Sequence, residues 1–381
     1  DDYRAWQFFN QTLLPMTSYL KPDAPLVPEL GRFRGGSSRP MMAMLEITNR
    51  CNMSCPVCFT DAHRKGPDLA FDEIERRLDK LLEIAGSIPL QISGGDPTLH
   101  PQLGEIVGLA RSRGFRNIEL VTNGIVISTT QDYLDELVDR GLTAVYLQFD
   151  GLSEKTYRTI RGQDMSGVRS RSVEATRQAK ICCTLAVAVT PGVNDGELGD
   201  IVRFGVANID TVRAINFQSA TPFAGRYEVS SRERSYRLDE LVALIEAQCE
   251  MDKGGFVSDL FGHPQCNTMS LVYVVDGRLK PLFSYISPQT RRNFLGKDPR
   301  QILLDLFQGK EYFCRKYLIS PRTWKFLAEA VDIFGTEHRL QSLLRARHIL
   351  LFAKSFMDRP TLDPSRLDKC CYGIATDKGI Y

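Results

Sequence analysis

Three cysteines lie within eight residues of one another in the first sixth of the chain. They are Cys51, Cys55 and Cys58, separated by four and by three positions. Thiolates are soft ligands, and three of them on one compact loop suit an iron–sulfur cluster. Because a cubane contains four irons, one iron stays open to another ligand. A structural zinc site is the alternative, but it needs four protein ligands, usually in two paired hooks, and no histidine lies nearby before His63.

Residues 43–219 supply a framework that can hold this loop. Short β-branched runs alternate there with helical patterns, which is typical of repeated βα units around a parallel sheet. Phe71, Ile74 and Leu78 have helical spacing, so we expect a helix to begin near them and to cover the outer face of the sheet. The predicted strands are 43–48, 89–93, 117–122, 144–149, 184–190 and 214–219.

The CxxxCxxC loop directly after the first predicted strand resembles that of the radical S-adenosylmethionine (radical SAM) superfamily, and the resemblance covers residues 43–220. It implies an α/β fold built as a partial (β/α)6 TIM-like barrel. The implied divisions are an N-terminal extension at 1–42, the barrel core at 43–226 and a mainly helical C-terminal domain at 227–381.

The same resemblance implies two cofactors, a 4Fe-4S cluster held by the three cysteines and S-adenosylmethionine. In that superfamily the methionyl amino and carboxylate groups chelate the open iron. An electron from the reduced cluster cleaves the sulfonium to a 5′-deoxyadenosyl radical, which abstracts a substrate hydrogen. Cys51, Cys55 and Cys58 are therefore the predicted catalytic and metal-binding residues.

Other matches to the superfamily fall at the ends of the predicted strands, where ligands collect in parallel sheets and barrels. Glycines after the second strand allow close backbone approach to the methionyl amine, and a carboxylate beside them pairs with the ammonium, although Gly-Gly-Asp-Pro is also a common turn sequence. An arginine after the fourth strand can meet a carboxylate bidentately; a solvated arginine is the alternative. The implied cofactor-binding residues are Phe59, Gly94, Gly95, Asp96, Thr122, Asn123, Gln148, Asp150, Arg161, Thr190 and Gln218.

Four further cysteines, in the C-terminal region, are candidate ligands of an auxiliary iron–sulfur cluster, with structural thiols as the alternative. Segments 216–226, 264–266 and 356–371 resemble the branch that contains archaeal tetraether lipid synthase and the related pterin methyltransferase. Members of that branch carry auxiliary clusters and build carbon–carbon bonds at unactivated carbons. The candidate ligands are Cys266, Cys314, Cys370 and Cys371.

The composition is that of an ordinary globular protein, with 43% hydrophobic and 25% charged residues and a formal net charge of +2. Such a small charge creates no general attraction for nucleic acid, and disorder is a poor interpretation. No window approaches the ~20 apolar residues that span a bilayer, and no secretory signal pattern opens the sequence. We expect a cytoplasmic protein without a transmembrane segment. A peripheral membrane location stays open, because residues 340–351 form an apolar stripe of helical spacing among basic residues.

We predict a radical SAM enzyme whose reaction forms a carbon–carbon bond or methylates an unactivated carbon of a lipid or small heterocycle. Its partners are then that small-molecule or lipid substrate and an electron donor such as flavodoxin or ferredoxin. A radical SAM enzyme that modifies peptides is the nearest alternative. A zinc-stabilised nucleic-acid-binding module is an alternative from another class, which the near-neutral charge and the missing fourth ligand disfavour.

Overall fold

The computed structural model describes residues 40–58, 60–130, 132–221, 235–258, 263–295, 317, 320–334, 346–357, 363, 366, 370–376 and 379–380. Most of the predicted N-terminal extension lies outside these residues, as do Phe59, Cys314 and residues 222–226 of the predicted barrel core. In the described part, no helix is long and apolar enough to cross a membrane.

Six strands form the predicted βα alternation, and the cysteine loop follows the first of them. They are β1 (Met42–Thr48), β2 (Leu90–Gly94), β3 (Ile118–Thr122), β4 (Ala144–Gln148), β5 (Cys182–Val189) and β6 (Val212–Ser219). The connecting helices are α1 (Phe71–Ala85), α2 (Leu103–Ser112), α3 (Ile125–Thr129), α4 (Tyr133–Asp139), α5 (Glu154–Arg161), α6 (Ser166–Gln178) and α7 (Leu198–Ala207). All six predicted strands are confirmed to within two residues.

The C-terminal region adds strands as well as helices. After α8 (Leu238–Gln248) come β7 (Asn267–Val275), β8 (Arg278–Pro281), α9 (Pro288–Leu295), α10 (Pro321–Ala330), β9 (His348–Lys354), β10 (Tyr372–Thr376) and β11 (Gly379–Ile380). The predicted helical stripe at 340–351 is wrong at its end, because Leu350 and Leu351 lie in β9. A short apolar run has no period that separates a buried strand from a buried helix, and here the sheet decides.

All eleven strands belong to one sheet, in the order β11-β10-β1-β2-β3-β4-β5-β6-β9-β7-β8. The run from β10 to β9 is parallel throughout, whereas β7, β8 and β11 pair antiparallel at the two edges. Lys354 Nζ, at the end of β9, contacts Tyr372 of β10 and lies 4.2 Å from the centre of its ring. The parallel part of the sheet therefore curls until its two outer strands touch, as in a TIM-like barrel.

The two faces of the curled sheet differ in chemistry. On the outer face, alternate residues such as Leu45, Ile92 and Val145 are fully buried and pack under the helices in the main hydrophobic core. The interior face carries polar groups as well as apolar ones: Gln91 Nε2 donates to Glu119 at 2.7 Å, inside the barrel, whereas Phe352 and Met269 also lie on this face. The period of two along each strand thus separates a hydrophobic outer layer from an interior of mixed polarity.

Candidate functional site

The cysteine loop leaves β1 and is closed at its base by backbone and side-chain contacts. Cys51 N–H donates to the carbonyl of His63 at 3.2 Å. The Arg50 guanidinium lies 2.6 Å from Asp68 and also donates to the carbonyl of Leu99 at 2.5 Å. A Cβ on Gly66 would lie 2.0 Å from the Asn49 carbonyl oxygen, so only glycine fits the returning chain. No periodic pattern of residues predicts these contacts, which determine where the loop begins and ends.

The three cysteines of the loop lie in one small hydrophobic cluster with Met53 and Tyr157. Cys51 and Cys55 are each 8% exposed, and burial raises the pKa of Cys51 to about 11. Burial also raises the pKa of Cys55, against the nearby Arg161 guanidinium, which lowers it. Since a thiolate is the form that binds iron, cluster binding must release protons here. The donor set fits a cluster because three soft ligands lie together in one small hydrophobic cluster, two of them buried.

Gly94 and Gly95 approach protein backbone closely. Gly94 has φ 141° and a Cβ there would lie 2.2 Å from the Thr48 carbonyl oxygen; at Gly95 it would lie 2.3 Å from that of Arg50. The N–H of Gly95 donates to Thr48 O at 2.8 Å. The close approach expected toward the methionyl amine is thus made, in this structure, toward the chain that enters the cysteine loop.

Asp96 is fully buried and both of its carboxylate oxygens accept hydrogen bonds within the protein. Oδ1 accepts from Thr98 N at 3.0 Å, and Oδ2 accepts from Asn123 N at 2.9 Å and Thr122 Oγ1 at 3.0 Å. Burial raises its pKa, while these donors lower it. Asp96 therefore ties the ends of β2 and β3 together beneath the site.

Asn123 connects this network to the cysteine loop. Its Nδ2 donates to Asn52 Oδ1 at 2.7 Å and lies 3.9 Å from Cys51 Sγ. Its Oδ1 accepts from the N–H of Ile125 at 3.0 Å and so begins helix α3. The structure therefore brings Thr122, Asn123 and Asp96 together beside the first cysteine.

Asp150 and Arg161 form a buried ion pair, 0% and 7% exposed at their side chains. Arg161 Nε donates to Oδ2 at 2.6 Å and Nη2 to Oδ1 at 2.8 Å, which is the bidentate geometry the sequence suggested. Gln148, with its amide oxygen turned to the guanidinium, accepts from Nη1 at 2.9 Å. Burial lowers the pKa of Arg161, but Asp150 and Cys55 raise it further, so the group stays charged. The alternative of a solvated arginine is wrong.

Thr190 and Gln218 occupy the ends of the fifth and sixth strands. Thr190 is 9% exposed, and its Oγ1 has no hydrogen-bond partner among the described residues. Gln218 Nε2 donates to Tyr146 OH at 2.6 Å inside the barrel. Asn194, in the loop after β5, donates from Nδ2 to the Asp150 carbonyl at 2.6 Å and so links this loop to the ion pair.

Three predicted auxiliary ligands come from distant segments into one neighbourhood. Burial raises the pKa of Cys371 to about 12, and Cys370 and Cys266 contribute to the rise because their thiols lie close by. Arg366 Nε donates to Cys266 Sγ at 3.0 Å. Over the described ranges, no three or more His, Cys, Asp or Glu side chains are placed to hold a single metal ion. That result bears on a one-ion site such as zinc, whereas a four-iron cluster holds its ligands further apart.

Arg169 is a site residue that the sequence did not single out. It is 7% exposed, its Cζ lies 4.7 Å from the centre of the Tyr157 ring, and its Nη1 has no partner in the described part of the chain. A basic residue on a helix is usually solvated, so only the packing of α6 against the cysteine cluster reveals this one.

A comparison with protein families matches residues 45–205 to the Radical SAM superfamily. Among curated proteins, the chain is 28% identical to the 7,8-dihydro-6-hydroxymethylpterin dimethyltransferase of Methanocaldococcus jannaschii, over 89% of this chain and 74% of that protein. It is 31% identical to a probable GTP 3′,8-cyclase of Methanothermobacter thermautotrophicus, over 44% of this chain and 54% of that one. Streptococcus suis SuiB bound to S-adenosylmethionine gives a TM-score of 0.44 at 16% identity, covering 58% of this chain and 49% of SuiB.

The matched range begins within β1, contains the whole cysteine loop and ends in α7, so it coincides with the site described above. The chain carries a radical SAM domain at residues 45–205. It is an enzyme that uses a 4Fe-4S cluster and S-adenosylmethionine and needs a reductant.

Proposed function

We propose that this radical SAM enzyme forms a carbon–carbon bond, in the simplest case by methylation, at an unactivated carbon of a small nitrogen heterocycle. The observation that carries the choice of a heterocycle over a lipid is the set of buried polar groups on the interior face of the barrel. Tyr146 OH accepts from Asn216 Nδ2 at 2.7 Å and from Gln218 Nε2 at 2.6 Å, and Glu119 lies on the same face. Burying an alkyl chain against such groups costs free energy, whereas a heterocycle can satisfy them. The relative named as a pterin dimethyltransferase supports the same choice.

In this proposal Cys51, Cys55 and Cys58 hold the cluster. With S-adenosylmethionine bound, the cluster supplies a carbon-centred radical that removes a substrate hydrogen. The buried Asp150–Arg161 pair positions Cys55, and Asn123 positions Cys51 through its amide. The apolar packing of the loop keeps water from the reacting atoms.

Arg169 and Thr190 are further candidates to contact S-adenosylmethionine. Each has a buried polar atom without a partner among the described residues, and each lies at the end of the barrel that carries the cysteine loop. Arg161 and Asp96, by contrast, form hydrogen bonds with other groups of the protein. We therefore assign Arg161 and Asp96 a positioning role and assign cofactor contact to Arg169 and Thr190, whose polar atoms have no partner among the described residues.

We also propose that Cys266, Cys370 and Cys371 hold an auxiliary cluster. Their thiols share one neighbourhood, and Arg366 Nε donates a hydrogen bond to Cys266 Sγ at 3.0 Å. The physiological electron donor in this proposal is a small redox protein such as flavodoxin or ferredoxin.

Iron counting after anaerobic reconstitution tests both cluster assignments. The wild type should bind iron and inorganic sulfide in equal amounts, as two clusters. A Cys51/Cys55/Cys58→Ala variant should keep only the iron of the auxiliary cluster. A Cys266/Cys370/Cys371→Ala variant should keep only the iron of the cluster held by the cysteine loop. Cys182→Ala is the matched control, because Cys182 is an exposed residue of β5 away from both groups, and it should keep all iron. Zinc in place of iron, or equal iron in all variants, would contradict the proposal.

Product analysis tests the reaction. With dithionite and S-adenosylmethionine, the wild type should form 5′-deoxyadenosine, and with a reduced pterin it should form a product heavier by one or more methyl groups. Mass spectrometry that finds only dehydrogenation or epimerisation of every acceptor offered would refute the assignment to carbon–carbon bond formation.

A further inference from the structure

Asn267 is a buried amide to which the protein offers no hydrogen-bond partner. It begins β7, is 4% exposed, and both its Nδ2 and its Oδ1 lack partners among the described residues. A buried amide that makes none of its hydrogen bonds is costly to the fold. The unpartnered amide of Asn267 has one donor and one acceptor, next to each other, that can bind a ligand.

The position of Asn267 brings it to the mouth of the barrel. Because β7 runs antiparallel to β9, its first residue pairs with Lys354, the last residue of β9. That end of β9 lies beside Gln218 of β6. It belongs to the edge of the sheet at which the parallel strands end, including β1, which leads to the cysteine loop. The side chains of Asn267 and Lys354 therefore share the interior face, where Lys354 reaches Tyr372.

A second unpartnered atom lies on the same face. Asn216 donates from Nδ2 to Tyr146, but its Oδ1 has no partner in the described part of the chain, although the residue is only 3% exposed. Asn216 pairs with Phe352 on β9, two residues before Lys354. Three polar groups therefore lie near one another on the interior face: the ammonium of Lys354, the whole side-chain amide of Asn267 and the amide oxygen of Asn216.

We propose that Asn267 and Lys354 bind the lactam edge of the substrate, the adjacent ring N–H and C=O that pterins and guanine share. The Asn267 amide accepts from the ring N–H and donates to the oxo group, and the Lys354 ammonium donates to the same oxygen. This assignment rests on the function proposed above and adds to it the residues that select the substrate.

The geometry of amides separates this ligand from the alternatives. A lactam presents its donor and acceptor on one edge, because the ring holds the amide cis, and one side-chain amide can satisfy both. A trans peptide bond points its N–H and C=O in opposite directions, so a peptide offers no such edge. A lipid chain offers neither group and would leave Asn267 and Asn216 unsatisfied.

Equilibrium binding tests the assignment on the reconstituted full chain under anaerobic conditions. The probes are 6-hydroxymethylpterin, GTP and 2,4-diamino-6-hydroxymethylpteridine, in which an amino group replaces the oxo group. Wild type should bind the pterin at least about tenfold more tightly than the diamino compound. Asn267→Leu should weaken pterin binding about ten- to hundredfold, and Lys354→Met about tenfold.

Ser270→Ala is the matched control. Ser270 lies on the same strand, is buried and has an unpartnered Oγ, but it pairs with Leu351 and so points to the opposite face. It should leave pterin affinity within about twofold of wild type, the spread expected where no contact is lost. Asn267→Leu should also unfold at a temperature no lower than wild type, because it removes two unsatisfied polar atoms from a buried position.

Each result bears on one claim. Equal pterin affinity in wild type and Asn267→Leu, or an equal loss in Ser270→Ala, would overturn the lactam assignment. Tighter binding of GTP that also depends on Asn267 would support it and identify the ring as a purine. Formation of 5′-deoxyadenosine by the wild type is measured separately, so a chain that binds pterin through Asn267 but never cleaves S-adenosylmethionine would contradict only the proposed function.

Discussion

Replacing Arg161 by Met should lower the free energy of unfolding, because Arg161 forms a buried ion pair with Asp150. This change removes the guanidinium and keeps most of the side-chain volume. It leaves the fully buried Asp150 carboxylate with the N–H of Ala188, at 3.0 Å, in place of two charge-assisted bonds at 2.6 and 2.8 Å. Removing one partner of a buried ion pair costs about 3–5 kcal/mol. We expect a loss of that size in the free energy of unfolding.

Arg158→Met is the matched control for this prediction. Arg158 lies one turn earlier on α5 and pairs with Glu154 at 2.6 Å, but its side chain is 62% exposed. An exposed pair of this kind contributes about 0–1 kcal/mol. The two variants therefore remove the same chemical group from one helix, and differ in burial.

The assay is denaturant unfolding of the iron-free chain, followed by iron analysis after reconstitution. Because Arg161 lowers the pKa of Cys55, its removal should also reduce iron loading near neutral pH, with recovery as the pH rises and the thiol ionises. If Arg161→Met cost no more than Arg158→Met and loaded iron normally at pH 7, the claim that the pair positions Cys55 would be refuted.

Three further changes test two residues that support the site and one histidine that titrates. Gly95→Ala should lower stability and iron content, because its Cβ would lie 2.3 Å from a carbonyl oxygen. Gly108→Ala in α2 is the control: its Cβ would meet nothing within 4 Å, so thermal unfolding should show it to be neutral or stabilising by about 0.5–1 kcal/mol. Asp96→Asn should cost about 1–3 kcal/mol, since its amide nitrogen cannot accept from the N–H of Asn123, and unchanged unfolding would contradict this. Burial lowers the pKa of His348 in the folded state, so stability should fall as the pH drops through about 6.5, and His348→Leu should lose less between pH 7.5 and 5.5.

The hydrophobic pattern was sufficient to predict the core of the fold and the position of the cysteine loop. Strands such as β2 and β4 carry apolar residues at the period that a buried outer face requires, and the loop directly follows the first of them. The same reasoning failed at Leu350, because a strand and a helix bury a short apolar run equally well. Phe59 and Cys314 stay predictions, since both lie outside the described residues.

Residue chemistry indicated the site, but the roles of individual residues depended on contacts. Asp96 was expected to face the cofactor, yet its oxygens accept from Thr98, Thr122 and Asn123. A sequence shows that a carboxylate follows a strand; it does not show which donors surround it. The sequence does not predict a role for Arg169 either, because its burial arises from the packing of α6 against the cysteine cluster.

The sequence by itself determined that three thiols stand on one loop after a strand, because ligand identity and spacing along a short segment are local properties of the chain. Only the tertiary structure decided that Cys266 lies near Cys371 and that Asn267 pairs with Lys354 on the interior face. Those residues are far apart in sequence, and no local pattern encodes their meeting. It follows from the curl of the sheet, which a parallel run of strands acquires only when the whole core packs.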